Sequence, residues 1–119
     1  MSDYRDLKVW KKSRAFVAEV YRATASFPRC EMFGLTSQMR RAASSIVCNI
    51  AEGHGRWTPR DCRSFVVNAR GSAQEVETQI FIAEDLEFLT HERSAELRET
   101  VNEIGRMLNG LLHYYSTKT

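Results

Sequence analysis

The sequence predicts an all-α protein, an up-and-down four-helix bundle that forms one domain over residues 1–119. Four segments carry apolar residues at alternating spacings of three and four, the period of an amphipathic helix. No comparable run alternates with a period of two. Only two prolines and six glycines occur in 119 residues, too few for the many turns of an all-β chain.

The first two predicted helices cover residues 6–26 and 35–52. We expect Asp6 to cap the first helix and Pro28 to end it, because the residue before a proline is pushed out of helical geometry. Gly53 is expected to end the second helix in a left-handed conformation. The predicted inner faces are Trp10, Ser13, Val17, Val20, Thr24 and Phe27 on the first helix and Leu35, Met39, Ala42, Ile46 and Ile50 on the second.

The third and fourth predicted helices cover residues 59–86 and 91–115. Thr58 places a capping hydroxyl before Pro59 at the first helical position, with Asp61 in the first turn. Thr90 is the expected N-cap of the fourth helix. The predicted inner faces are Phe65, Ala69, Ala73, Val76, Ile80 and Ala83 on the third helix and Leu97, Val101, Ile104, Leu108, Leu111 and Tyr115 on the fourth.

Charge is unevenly distributed along the chain, although its net value is only +2. Residues 1–70 hold 13 Lys and Arg against 6 Asp and Glu, whereas residues 71–119 hold 4 against 9. Such polarity favours a basic surface for an anion, or a basic face of one subunit against an acidic face of the next. The alternative is that both faces are merely solvated. The cations proposed to contact nucleic-acid phosphates are Lys8, Lys11, Lys12, Arg40, Arg41, Arg56, Arg60 and Arg63.

Four apolar residues do not fit the predicted core and are interpreted as a subunit interface: Trp57, Val67, Phe81 and Ile82. Because the basic and acidic faces come from different halves of the chain, the contact would be heterologous, and a closed ring is its natural product. The alternative is that the helical phase drifts and these residues are buried within the monomer.

No recognisable catalytic, metal or cofactor motif occurs, so we expect the protein not to be an enzyme. A small hydrolase built around His54 and Glu52 is the remaining enzymatic alternative. The acidic stripe Glu92, Glu96, Glu99 and Glu103 is interpreted as a solvated helix face rather than a metal site. Three widely spaced cysteines, without a signal peptide or a membrane span, predict free thiols and a cytoplasmic location.

Five blocks of the chain resemble a known family: residues 4–12 (YRDLKVWKK), 33–43 (FGLTSQMRRAA), 45–53 (SIVCNIAEG), 71–79 (GSAQEVETQ) and 107–111 (MLNGL). They are similar to bacterial four-helix-bundle proteins that include those encoded in intervening sequences of 23S ribosomal RNA genes. The resemblance implies a homopentameric ring, and relatedness to the accessory protein of diversity-generating retroelements, which engages a reverse transcriptase and nucleic acid. It implies no catalytic residues. Val47-Cys48 stands where the family commonly has proline and serine, which predicts a straighter second helix.

The leading functional hypothesis is therefore a non-enzymatic, oligomeric protein whose basic face contacts the RNA or DNA backbone. The second is a protein–protein adaptor or scaffold ring, for example for a reverse transcriptase, that does not bind nucleic acid itself.

Overall fold

Residues 3–118 are described by a computed structural model of the chain, in which they form four α-helices, two short 3-10 helices and no strand. The α-helices are α1 (Lys8–Thr24), α2 (Leu35–His54), α3 (Pro59–Asp85) and α4 (His91–Ser116). The 3-10 helices, Tyr4–Asp6 and Arg29–Glu31, precede α1 and α2. The prediction of an all-helical chain with four long helices is confirmed.

Each helix packs against two others, which makes a helical bundle about 45 Å long. α1 contacts α2 and α4, and α3 contacts the same two helices. Within residues 3–118, α1 and α3 therefore lie diagonally across the bundle from each other. Apolar residues of all four helices meet in one core, with Phe16, Met39, Ile80 and Leu108 fully buried.

The predicted starts of α3 and α4 are confirmed. Thr58 Oγ1 accepts a hydrogen bond from the Asp61 backbone N–H at 3.1 Å, and Thr90 Oγ1 accepts one from the Arg93 N–H at 3.1 Å. Pro59 occupies the first turn, where its missing N–H is not needed.

The predicted start and end of the first helix are wrong. Asp6 lies in the first 3-10 helix, which Asp3 caps through the Arg5 N–H at 2.8 Å, so α1 begins only at Lys8. At the other end α1 stops at Thr24, four residues before Pro28. There the Phe27 N–H bonds to the Thr24 carbonyl at 3.1 Å, so a tight turn ends the helix before the proline can act.

Gly53 does not end α2, contrary to the prediction. The helix continues to His54, Gly55 is its C-cap at φ −86°, and among residues 3–118 no glycine has positive φ. Gly53 is needed instead for close packing of α2 on α3. A β-carbon there would lie 2.9 Å from Phe65 Cβ and 3.2 Å from the Cys62 carbonyl oxygen.

We therefore expect Gly53→Ala to lower the free energy of unfolding by about 1–3 kcal/mol, the usual cost of overpacking. The clash outweighs the gain of about 1 kcal/mol that alanine normally brings to a helix. Gly110→Ala is the matched control, because nothing lies within 4 Å of a β-carbon at that helical position. It should gain stability in the same urea titration, and a stabilised Gly53→Ala would contradict the packing argument.

Candidate nucleic-acid interface

Six of the eight predicted phosphate-binding cations lie toward one end of the bundle. The first 3-10 helix packs on α2, and the pKa of Asp3, lowered mainly by its hydrogen bonds from Arg5, is lowered further by His54, so α1 begins near the end of α2. The end of α2 in turn lies against the start of α3. We call these six the basic end: Lys8, Lys11 and Lys12 on α1, Arg56 in the α2–α3 connection, and Arg60 and Arg63 on α3.

The other two predicted cations, Arg40 and Arg41, lie elsewhere. They are in the second turn of α2, and 15 residues of helix at 1.5 Å each place Arg40 about 22 Å along the axis from Gly55. The eight cations therefore do not form one continuous face.

Most of these cations are not neutralised within the chain. Lys12 Nζ lies 2.8 Å from Glu103 Oε2, and Lys12 holds the pKa of that carboxyl below its usual range. Among the residues that the structure describes, no carboxylate oxygen lies within 4.0 Å of the charged nitrogens of the other seven. The basic end therefore keeps a surplus of positive charge.

Two arginines of the basic end are held in place by uncharged groups. The Arg56 guanidinium lies over the Phe65 ring, 4.4 Å from its centroid. Arg63 Nε donates to Ser116 Oγ at 3.0 Å, which brings the end of α4 to the start of α3. These contacts restrict the guanidinium groups without consuming their charge, so less freedom is lost when they bind an anion.

A recess of about 530 Å³ opens beside Arg60 and Arg63, bounded by Ser64 and Ser116. Both arginines belong to the first two turns of α3, where the partial positive charge of the helix N-terminus also favours an anion. Arginine forks match phosphate oxygens, and contacts of this kind carry no sequence information.

The groove between α3 and α4 extends the basic surface beyond the predicted residues. It has a volume of about 300 Å³, and its floor includes Ala73 and Gly105. Arg70 lines it from α3 and Arg106 from α4, with Glu77 as the carboxylate among the lining residues. The sequence gives a signal for Arg70, because it follows Arg63 by seven residues and so lies on the same side of α3. Arg106 carried no such signal, because it lies among the glutamates of the acidic helix.

The four residues predicted as a subunit interface are all exposed, so they are not buried within the chain: Trp57 98%, Val67 43%, Phe81 46% and Ile82 42%. Three of them share the outward face of α3. Trp57 lies in the connection before α3, about 35 Å along the helix from Phe81, so the structure does not bring it together with the others.

The hydrolase alternative rests on Glu52 and His54 at the end of α2. Ser45, nine residues before His54 on the same helix, has a structural role: its Oγ accepts from Ser72 at 2.9 Å and from Asn49 at 3.0 Å, bonds that tie α2 to α3 and to itself. Residues 3–118 contain no cluster of three His, Cys, Asp or Glu side chains suited to a metal ion.

None of the helices described in residues 3–118 is both long and apolar enough to cross a membrane. All three cysteines are free thiols.

Comparison with known proteins identifies the family. The family model described as "23S rRNA-intervening sequence protein" matches residues 5–110. A crystal structure of a protein of unknown function from the S23 ribosomal protein family of Bacteroides thetaiotaomicron superposes with a TM-score of 0.79. The two chains are 22% identical, and the match covers 87% of this chain and 97% of that one, which supports the helical-bundle fold. No curated protein matches. On the strength of a family model that spans most of its length, the chain belongs to the 23S rRNA-intervening sequence protein family.

Proposed function

We propose that this protein is a non-enzymatic, cytoplasmic homo-oligomer that contacts the backbone of RNA or DNA through its basic end. The observation that carries the proposal is the charge of Lys8, Lys11, Arg56, Arg60 and Arg63, whose charged nitrogens have no carboxylate oxygen within 4.0 Å among the described residues. A polyanion that binds there releases its condensed counterions, which is the main source of sequence-independent affinity.

The proposal is tested by fluorescence anisotropy with labelled RNA and DNA of unrelated sequences. If about six phosphates are neutralised, affinity should fall roughly 1,000-fold between 50 and 200 mM salt, with little difference between sequences. Binding that is undetectable, or that does not respond to salt, counts against the proposal.

Glu103→Gln is expected to strengthen binding. The change leaves Lys12 without its carboxylate partner, and folding is little affected because an exposed ion pair adds little to stability. One more lysine available to phosphate should steepen the slope of log affinity against log salt concentration by about 0.9. Glu99→Gln is the control, because it removes the same charge from α4 and leaves the Lys12 pair in place. Equal slopes for both variants would contradict the role given to Lys12.

The second candidate function is an adaptor or scaffold ring, for example for a reverse transcriptase, and the exposed residues of α3 favour it. Val67, Phe81 and Ile82 lie on an outward face whose residues in between, Gly71, Gln74 and Thr78, carry no charge. In a homopentameric ring the acidic stripe of α4 would face the basic residues of the next copy, because the two lie on different parts of the chain. This candidate predicts an oligomer with no measurable affinity for free nucleic acid.

A further inference from the structure

A second basic recess, of about 470 Å³, lies where α1 ends and α2 begins. Four of its lining residues share one face of α2, two come from the connection before α2, and one comes from α1. The lining is aromatic and positively charged, with no carboxylate among its members: Tyr21, Met32, Phe33, Ser37, Arg40, Arg41 and Ser44. This combination differs from the basic end, where the phosphate-binding cations outnumber the aromatic rings.

The guanidinium of Arg40 is held against α1. It lies over the Tyr21 ring, 4.5 Å from the centroid, and Arg40 Nε donates to Thr24 Oγ1 at 2.9 Å. The Thr24 hydroxyl itself donates to the Val20 carbonyl at 2.8 Å, so the acceptor is also held in place. A guanidinium that lies over a ring and is tethered at one nitrogen is already ordered before it meets a ligand.

Phe33 presents its ring almost entirely to solvent, with 95% of its surface exposed. The connection that carries it is nevertheless hydrogen bonded, since the Gly34 N–H bonds to the Glu31 carbonyl at 2.9 Å. Glu31 Oε1 then accepts from the Leu35 N–H at 3.1 Å, which caps the start of α2. The exposed ring therefore stands on an ordered corner of the bundle.

We infer that this recess binds an unpaired base of single-stranded RNA or DNA, which stacks on Phe33 and on the guanidinium plane of Arg40 while Arg41 meets the adjacent phosphate. Aromatic rings and arginine planes stack on bases of any sequence, and a duplex keeps its base faces hidden. The inference rests on the proposed function and narrows it, because it makes single strands the favoured ligand. The recess and the basic end carry charge of the same sign at different positions along one bundle 45 Å long.

The test compares Phe33→Ala with the wild-type chain in anisotropy titrations of a labelled single strand of about 16 nucleotides and of the matching duplex. Loss of one stacked base should weaken single-strand binding about 5- to 150-fold and leave duplex binding within about twofold. Phe33→Trp should retain single-strand binding. Phe33→Leu should lose it, because leucine keeps apolar bulk without a ring face. All three variants change the same solvent-exposed position, so folding is not expected to change.

Three outcomes would contradict the inference. Equal loss for the two nucleic-acid forms, or no loss for either, overturns the inference while leaving salt-dependent binding at the basic end intact. Full single-strand binding by Phe33→Leu overturns it as well, because the ring face would then not be needed for binding. If the wild-type chain binds neither form, the proposed function fails first and the inference fails with it.

Discussion

Replacing Arg60 and Arg63 together with alanine should weaken binding to RNA and DNA of every sequence by the same factor. Each phosphate contact contributes about 0.9 to the slope of log affinity against log salt concentration, so the double variant should lose nearly two units of slope. At about 0.1 M salt this corresponds to a loss of affinity of roughly tenfold or more. The effect is large because both side chains line the same recess, and neither has a carboxylate partner among the described residues.

Two control variants test whether the loss of binding comes from the charge of these arginines and from their place on the bundle. Arg60→Lys with Arg63→Lys keeps both charges, so the slope should stay near the wild-type value. Arg93→Ala removes a cation that already lies 3.6 Å from Glu96 on α4, and binding should not change. Anisotropy at several salt concentrations measures all three variants. A loss confined to one nucleic-acid sequence would argue for base recognition instead of backbone contact.

The starts of helices were predicted correctly where the capping hydrogen bond joins residues that are close together in the sequence. Thr58 and Thr90 each cap a helix through an N–H three residues later, so the signal and the structure involve the same few atoms. The prediction that Asp6 caps α1 was wrong because Asp3 supplies the same carboxylate cap earlier and begins a separate 3-10 helix. The prediction that Gly53 ends α2 was wrong because this glycine allows close contact with α3, and the sequence of α2 alone does not reveal that contact.

The predicted core faces of α2, α3 and α4 were correct in the middle of these helices and less so at the ends of α3 and α4, whereas in the middle of α1 the predicted Val17 is only partly buried and Phe16 is fully buried. On α4 the heptad pattern selects Leu111, but the structure buries Leu112 and leaves Leu111 partly exposed. A strict period of 3.5 drifts by about 20° per heptad from a straight helix of 3.6 residues per turn, about 40° over the two heptads from Leu97 to Leu111, so the seam has begun to turn away from the core at Leu111. On α3 Val66 is buried and the predicted Phe65 is only partly buried.

The candidate site was predictable in its charge and not in its arrangement. Residue types alone identify the cations, but only packing shows that Arg56 and Arg63 share an end of the bundle while Arg40 lies at a distance. The stacking of Arg40 on Tyr21 joins residues 19 positions apart on different helices. Lys12 and Glu103 form an ion pair between the first and last helices, so no local sequence pattern contains both partners.

Val67→Glu with Ile82→Glu should convert the proposed homo-oligomer into single chains. The two residues lie about 22 Å apart on the outward face of α3 and are 43% and 42% exposed, so the changes leave the core untouched. Burying an unpaired carboxylate at a subunit contact costs several kcal/mol, and in a closed ring every contact carries the same pair of changes. Light scattering should then report 13.7 kDa, where a pentamer would have five times that mass.

Tyr114→Glu is the matched control for this assembly experiment. Tyr114 is 53% exposed on α4, so the substitution removes exposed apolar surface and adds one carboxylate, where the double variant adds two, away from the face of α3. Its mass should equal that of the wild-type chain. A double variant that keeps the wild-type mass would show that α3 is not the contact, and a wild-type chain that scatters as 13.7 kDa would exclude the ring itself. The nucleic-acid affinities of the assembled and dissociated forms can then be compared. If the subunit contacts use the same cations that bind phosphate, dissociation should free those cations and raise the affinity.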